Sequence, residues 1–240
     1  ITQGFIGATT ENFTTTLGRE GSDYTAAIFS FCLQASEMVV WKDVPGVLSA
    51  DPKYYDDAVK LEQISYRDAI ELTYYGATVI HPKTIKPLEN RQIPLRVASF
   101  LAPGDKGTLI GDFPTTKPLV PCFIFKPNQI LFSIAAKDFS FIAEDSLSTI
   151  FGLFVKHHVK VNLMQNSAIS FSVCMDNDPL KIPELSKELS EYYTVRYNEN
   201  LRLITIRHYF PSTVEQLTKG KVILLEQRSR QTAQLVIRED

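Results

Sequence analysis

Residues 18–23 read Gly-Arg-Glu-Gly-Ser-Asp and stand directly before an apolar-periodic stretch. The first backbone N–H groups of a helix lack intrahelical partners, and glycine leaves them open, so this segment is suited to cradling an anion. Arg19 adds a planar fork that grips a carboxylate through two parallel hydrogen bonds. Asp23, in the first helical turn, is placed to orient a lysine that neutralises phosphate charge. The GxxxxGK[ST] pattern of a P-loop is absent. Taken alone, the same residues also fit a plain helix start on which Ser22 or Asp23 acts only as a cap.

The elements that would hold this loop alternate strand and helix over the first 112 residues. A short strand is expected over 1–6, a polar loop over 9–21 and a helix over 23–35 with Ala27, Ile28, Phe31, Cys32 and Ala35 on one side. Residues 38–41 read as a buried strand, broken by Asp43-Val44-Pro45-Gly46. Ser65 and Asp68 suggest a capping box, Pro82 a helix start, and 78–80 and 95–99 two further strands. His81, before that proline, reads as a structural hydrogen-bonder rather than a base. This order predicts an α/β fold with a parallel sheet. Residues 113–127, with four prolines, read as a linker. From 128 to 200 the order is βαββαβ, a ferredoxin-like unit whose helix over 146–158 carries Leu147, Ile150, Phe151, Phe154 and Val155 on one stripe. Residues 201–240 read as a second, reduced copy.

Bulk properties exclude several classes. The net charge of −2, with Lys and Arg scattered singly, argues against nucleic acid and against a polybasic membrane contact. Cys32, Cys122 and Cys174 lie far apart, which argues against a disulfide framework and a metal site and predicts a cytoplasmic protein. No apolar run approaches the ~18 residues of a membrane span.

Three runs occur in one order: TTTLGREGSDYTA from Thr14, WKDVPGVLSADP from Trp41 and YGATVIHPKT from Tyr75. Together they resemble the second half of the catalytic domain of aspartokinases, within the amino-acid kinase family, and the tail resembles the ACT-type regulatory region of those enzymes. The resemblance implies transfer of the ATP γ-phosphoryl group, with Mg2+ accompanying the nucleotide, to the side chain of L-aspartate. It puts Arg19, Gly21 and Ser22 on aspartate and Asp23 in the catalytic constellation. It puts Lys42, Asp43, Leu48, Lys53, Thr78 and Val79 around ATP. Departures from the commonest pattern are Glu20 for glycine, Leu48 for tyrosine, Lys53 for arginine and Thr78 for lysine. The family's KFGGTS segment is not among these residues, and the chain opens on Ile1 as if inside a strand. These 240 residues alone are therefore expected to be inactive.

In the same family, paired ACT units bind an amino-acid effector, commonly lysine or threonine, between two chains. The matching positions are Ser140, Leu147, Lys160, Val161, Asn162 and Ser167, and the resemblance implies a homodimer through this region. Lysine-sensitive relatives carry acidic residues where this chain has Asn162 and Ala168, so a neutral effector such as threonine is expected over lysine, whose ammonium needs a counter-charge. Two other readings stand beside this one: a different family member acting on glutamate, acetylglutamate or UMP, and a non-catalytic protein that binds an effector or holds an oligomer.

Overall fold

The computed structural model describes residues 1–138 and 140–238. Two compact units divide the chain, Ile1–Ile124 and Phe125–Asp240.

The first unit opens on an antiparallel hairpin of β1 (Ile6–Ala8) and β2 (Thr14–Thr16). It replaces the strand expected over 1–6 and takes in part of the expected loop. Helix α1 (Gly21–Leu33) leads to β3 (Met38–Lys42); β4 (Gln63–Ser65), α2 (Tyr66–Tyr75), α3 (Pro82–Glu89), β5 (Leu95–Ser99) and β6 (Thr108–Gly111) follow. The sheet order is β3-β5-β6-β4. Strands β3 and β5 are parallel, as are β4 and β6, but β5 and β6 are antiparallel. The sheet is therefore mixed rather than wholly parallel. Residues 100–107 are too few for the helical crossover a parallel neighbour demands.

The core of this unit closes on Leu61, Ile64, Ile85, Leu88, Leu95 and Val97, all fully buried. Ser65 caps α2 by accepting the Asp68 N–H at 3.0 Å. The Asp68 carboxylate accepts from the Thr116 hydroxyl at 2.7 Å, which ties the first turn of α2 to the chain beyond β6. At α3, Pro82 occupies the first turn and His81 Nδ1 accepts the Lys83 N–H at 3.1 Å, the structural role expected of that histidine. No strand forms over 78–80. These residues link α2 to α3, and Ile80 meets its need for burial by packing into the core.

The second unit contains most of β7 (Cys122–Ala136), then α4 (Glu144–Lys156), β8 (Val161–Asn166), β9 (Ser170–Asp176), α5 (Ile182–Tyr192), β10 (Tyr193–Arg207), α6 (Pro211–Thr218), β11 (Ile223–Arg228) and β12 (Thr232–Arg238). Residues 122–127, read from sequence as linker, are the start of β7. One six-stranded sheet runs β11-β12-β10-β7-β9-β8. Ile130, Phe132 and Ile134 of β7 pack with Ile150, Phe154, Leu185 and Leu189 of the helices. Leu131 lies in a second cluster with Leu163, Leu203, Leu225 and Val236.

This sheet is built from two copies of one pattern. Strands β7-β9-β8 and β10-β12-β11 share the same order. Their ladders begin at matching points, Gln129 opposite Asp176 and Leu201 opposite Arg238. Each edge strand shifts register at one place, between Val161 and Leu163 and between Ile223 and Leu225. Each hairpin closes on the same turn, with the Ser167 hydroxyl accepting the Ser170 N–H at 3.2 Å and the Ser229 hydroxyl accepting the Thr232 N–H at 3.2 Å. The two long strands both pass through an asparagine of left-handed backbone, Asn128 (φ 54°) and Asn200 (φ 55°), a conformation this residue type tolerates.

The helix expected over 146–158 is α4, but its stripe is not wholly core. Ile150, Leu153 and Phe154 are buried, whereas Phe151 is 37% and Val155 74% exposed. At its end, Glu188 of α5 holds Lys156 Nζ at 2.6 Å and His157 Nε2 at 2.7 Å. Lys156, then His157, hold the Glu188 carboxyl below its usual 4.5. A carboxyl lowered in the folded state adds stability above 4.5 and loses it as pH falls through the lowered value. Thermal melts of the second unit should therefore fall on acidification below pH 4.5 in the parent and fall less steeply in Glu188→Gln. Parallel profiles would show that the cluster contributes nothing.

Candidate active site and effector site

The loop before α1 is tightly folded. Gly18 has φ 77°, and Glu20, at the N-cap, has φ 57°. A Cβ added at Gly21 would lie 2.9 Å from both Leu17 Cβ and Phe5 Cδ2, so only glycine fits there without displacing them. The Thr25 hydroxyl accepts the Phe5 N–H at 3.0 Å and fixes the incoming chain against the helix. No side chain caps α1. Asp23 instead turns to β3, where its Oδ2 receives Lys42 Nζ at 2.7 Å. The two side chains are 17% and 26% exposed. Lys42 ends a strand parallel to β5, and ligands of α/β sheets sit beyond the carboxyl ends of such strands. The pair thus sets an ammonium, with two N–H groups left over, beside the N-terminus of α1.

Ser22 lies exposed in the first turn of α1, and Arg19 is exposed with Nε 3.9 Å from Glu20 Oε1. Glu20 Oε2 is buried without a hydrogen-bond partner. An L-residue in left-handed backbone costs roughly 1 kcal/mol, which explains why glycine suits this position. Glu20→Gly should therefore raise the stability of the first unit by about 1 kcal/mol in urea melts. A variant less stable than the parent would show that Glu20 makes a compensating contact.

The positions matched to ATP lie on separate loops. Asp43 is exposed immediately after β3, and Leu48 is half-buried and bridged to Lys60. The loop between is anchored by the Thr108 hydroxyl, which accepts the Val47 N–H at 2.9 Å and donates to Leu61 O at 2.5 Å. Lys53 is exposed, its N–H bound to Asp51 Oδ1 at 2.9 Å. Thr78 is exposed and Val79 packs on the core in the link between α2 and α3. Asp23 and Lys42 are the two sequence-read positions joined here by a direct contact.

In the second unit the positions matched to an effector form two groups at opposite ends of β8. Lys160, Val161 and Asn162 stand at its start. Ser167 lies in the turn beyond its end, where Ala168 O accepts the Ile142 N–H at 3.0 Å and so ties in the loop that carries Ser140 and leads to Leu147. Five strand residues at ~3.3 Å each put roughly 16 Å between Asn162 and Ser167. Around Asn162 the structure shows a polar cluster that sequence reading missed. The Asn162 amide donates to Gln129 Oε1 at 2.8 Å and to Asp176 Oδ1 at 2.9 Å, and its Oδ1 accepts from Lys126 Nζ at 3.0 Å. Gln129 Nε2 also donates to Asp176 Oδ1, at 2.8 Å. Burial pushes Lys126 below the usual lysine value, with Asp176 opposing and Lys160 adding to that shift. Burial, helped by Asp176, pushes the Cys174 thiol up to about 12, so it stays neutral.

Residues 1–99 match the model of the amino acid kinase family. Within it the chain is similar to the aspartokinases. It is 34% identical over 213 residues to lysine-sensitive aspartokinase 3 of Escherichia coli (strain K12), covering 86% of this chain and 47% of that protein. It is 32% identical over 230 residues to the chloroplastic aspartokinase 1 of Arabidopsis thaliana, covering 93% and 37%. The chain thus spans less than half the length of either relative. The structure of E. coli aspartokinase III in complex with lysine and aspartate matches with a TM-score of 0.80 at 29% identity, over 98% of this chain and 56% of that one. A Clostridium acetobutylicum aspartate kinase shares the fold, with a TM-score of 0.83 at 22% identity over 98% and 58%.

Proposed function

We propose that this chain contributes the acceptor site and part of the nucleotide site of an aspartate kinase, which converts L-aspartate and ATP to 4-phospho-L-aspartate and ADP at the head of lysine, threonine and methionine synthesis. The observation that carries this reading is the Asp23–Lys42 pair beside the glycine-lined start of α1. Phosphoryl transfer asks little covalent chemistry of a protein and much positioning and charge neutralisation. A β-carboxylate oxygen of aspartate forms the new P–O bond while the bond to the leaving ADP oxygen breaks. Arg19, Gly21 and Ser22 hold the acceptor amino acid. Lys42, fixed by Asp23, offers its spare donors to the phosphoryl oxygens as charge moves toward the leaving group. ATP enters as its magnesium complex, with Asp43, Leu48, Lys53, Thr78 and Val79 lining its place. Solved E. coli aspartokinase III in complex with aspartate and ADP supports both ligands, at 29% identity and a TM-score of 0.80.

The test is trapping of the acyl phosphate. The protein, in the full length its gene encodes, should form aspartyl hydroxamate when ATP, L-aspartate and hydroxylamine are combined. Hydroxamate from another acid, or none at all from a folded protein, sinks the assignment.

The second unit is read as an ACT-type region that binds an amino-acid effector, threonine before lysine, between two chains. The separation of the two residue groups along β8 supports a two-chain site, because a second copy can bring one group to the other. Exposed Phe151 and Val155 on α4 and Met164 on edge strand β8 offer an apolar surface for that pairing. Residues 128–200 and 201–240 are the two repeats, with β10 closing the first and opening the second. A monodisperse monomer in light scattering at micromolar concentration would count against the dimer.

A further inference from the structure

The polar cluster at Asn162 is not required by the strand pattern that contains it. The second copy repeats the register and the bulge with Leu201, Leu224 and Val236 where the first has Gln129, Asn162 and Cys174. Those three residues join an apolar cluster, so the same backbone closes with leucine and valine at these positions, while Asn198 and Arg238 take the places of Lys126 and Asp176. What the first copy gains is a half-buried ammonium. Lys126 donates, among the described residues, only to the neutral Oδ1 of Asn162, and two of its three N–H groups are unspent. Asn162 has no N–H to give, since both hydrogens are engaged by Gln129 and Asp176. The Asp176 carboxylate acts on this cation through space while its Oδ1 accepts from Asn162 and Gln129, and a partly buried cation whose direct hydrogen bond is to a neutral acceptor still gains from an anion in contact. The depression of Lys126 by burial points the same way, because a carboxylate in contact would restore its charge.

We infer that Lys126 is the carboxylate-binding residue of the effector site, its unspent N–H groups taking the α-carboxylate of an amino acid seated at the start of β8. This rests on the reading of the second unit as effector-binding. Asn162 becomes a positioning residue that holds Lys126 in place, and a cationic effector side chain placed near Lys126 is disfavoured.

The test is calorimetric titration of the 240-residue chain with L-threonine against L-threoninamide, and with L-lysine against L-lysinamide. The amino acid that binds should do so at least about tenfold more tightly than its amide, the size of a charge-assisted hydrogen bond. Lys126→Met should erase that difference by weakening the acid and leaving the amide unchanged, while Lys126→Arg should keep it. Circular dichroism melts show that each variant is folded. If Lys126→Met, folded, still prefers the acid, the assignment of Lys126 is overturned and the effector site stands without it. If the unaltered chain binds neither amino acid, the effector reading falls and the inference with it.

Discussion

Lys42→Met in the full-length protein should lower kcat by about 100- to 1000-fold, the cost of removing one preorganised donor from a developing negative charge. The side chain sits at the end of β3 with Asp23 on one N–H and two N–H groups free for phosphate oxygens. Methionine keeps the length and most of the packing of the lysine stem. The pair is partly exposed, and ion pairs of that kind contribute at most about 1 kcal/mol to stability, so the variant should melt close to the parent. Asp23→Asn separates orientation from charge. It keeps an acceptor for Lys42 but removes the anion, and should reduce kcat by a smaller factor than Lys42→Met with little change in KM for ATP. Equal kcat in parent and Lys42→Met, measured at saturating substrates, would remove the lysine from the reaction.

Gly107→Ala should destabilise the first unit by roughly 3 kcal/mol or more, among the largest effects a single methyl group can have here. Gly107 has φ 62°, and a Cβ placed on it would lie 2.0 Å from the Val97 carbonyl oxygen. Neither partner is free to yield. Val97 lies inside β5, paired to Thr108, and the Gly107 N–H donates to Asp105 Oδ1 at 2.9 Å. Asp105 is held in turn by Lys60, which contacts both carboxylate oxygens at 2.6 and 2.7 Å. Strain at Gly107 therefore reaches the loop that follows Leu48 and Lys53. Gly104 in the same connection is the control: a Cβ there meets nothing within 4 Å, and Gly104→Ala should stay within about 0.5 kcal/mol of the parent. Urea melts compare the two. Similar midpoints would mean that the β5–β6 turn relaxes freely.

What could be read from the chain without coordinates depended on how local the cause was. The start of α1, the cap at Ser65 and the histidine before Pro82 each rest on neighbouring residues, and each was legible. Asp23 could be assigned a lysine partner, and the partner proved to be Lys42, because the two lie in motifs that occur in one order. The antiparallel β5–β6 step was missed, although a connection of 100–107 is too short for anything else. Val155 fits the apolar stripe of α4 yet stays exposed, because periodicity reports which face a residue is on and not how far the neighbouring layer reaches. Glu20 could be noted as a departure from glycine, but its cost became visible only with a positive φ. The Lys126 cluster left no trace in any window. It joins positions 126, 129, 162 and 176 across three strands, and a one-residue bulge decides which side chains meet. The second repeat was only suggestive in sequence, since its matching positions are apolar where the first copy is polar, and it became plain through register.

The most direct measurement is ADP release by the full-length protein with MgATP and each of L-aspartate, L-glutamate, N-acetylglutamate and UMP. Turnover is expected with L-aspartate alone and is expected to be lost in Lys42→Met. Turnover with any of the other three instead, or none with all four from a folded protein, would contradict the aspartate kinase assignment.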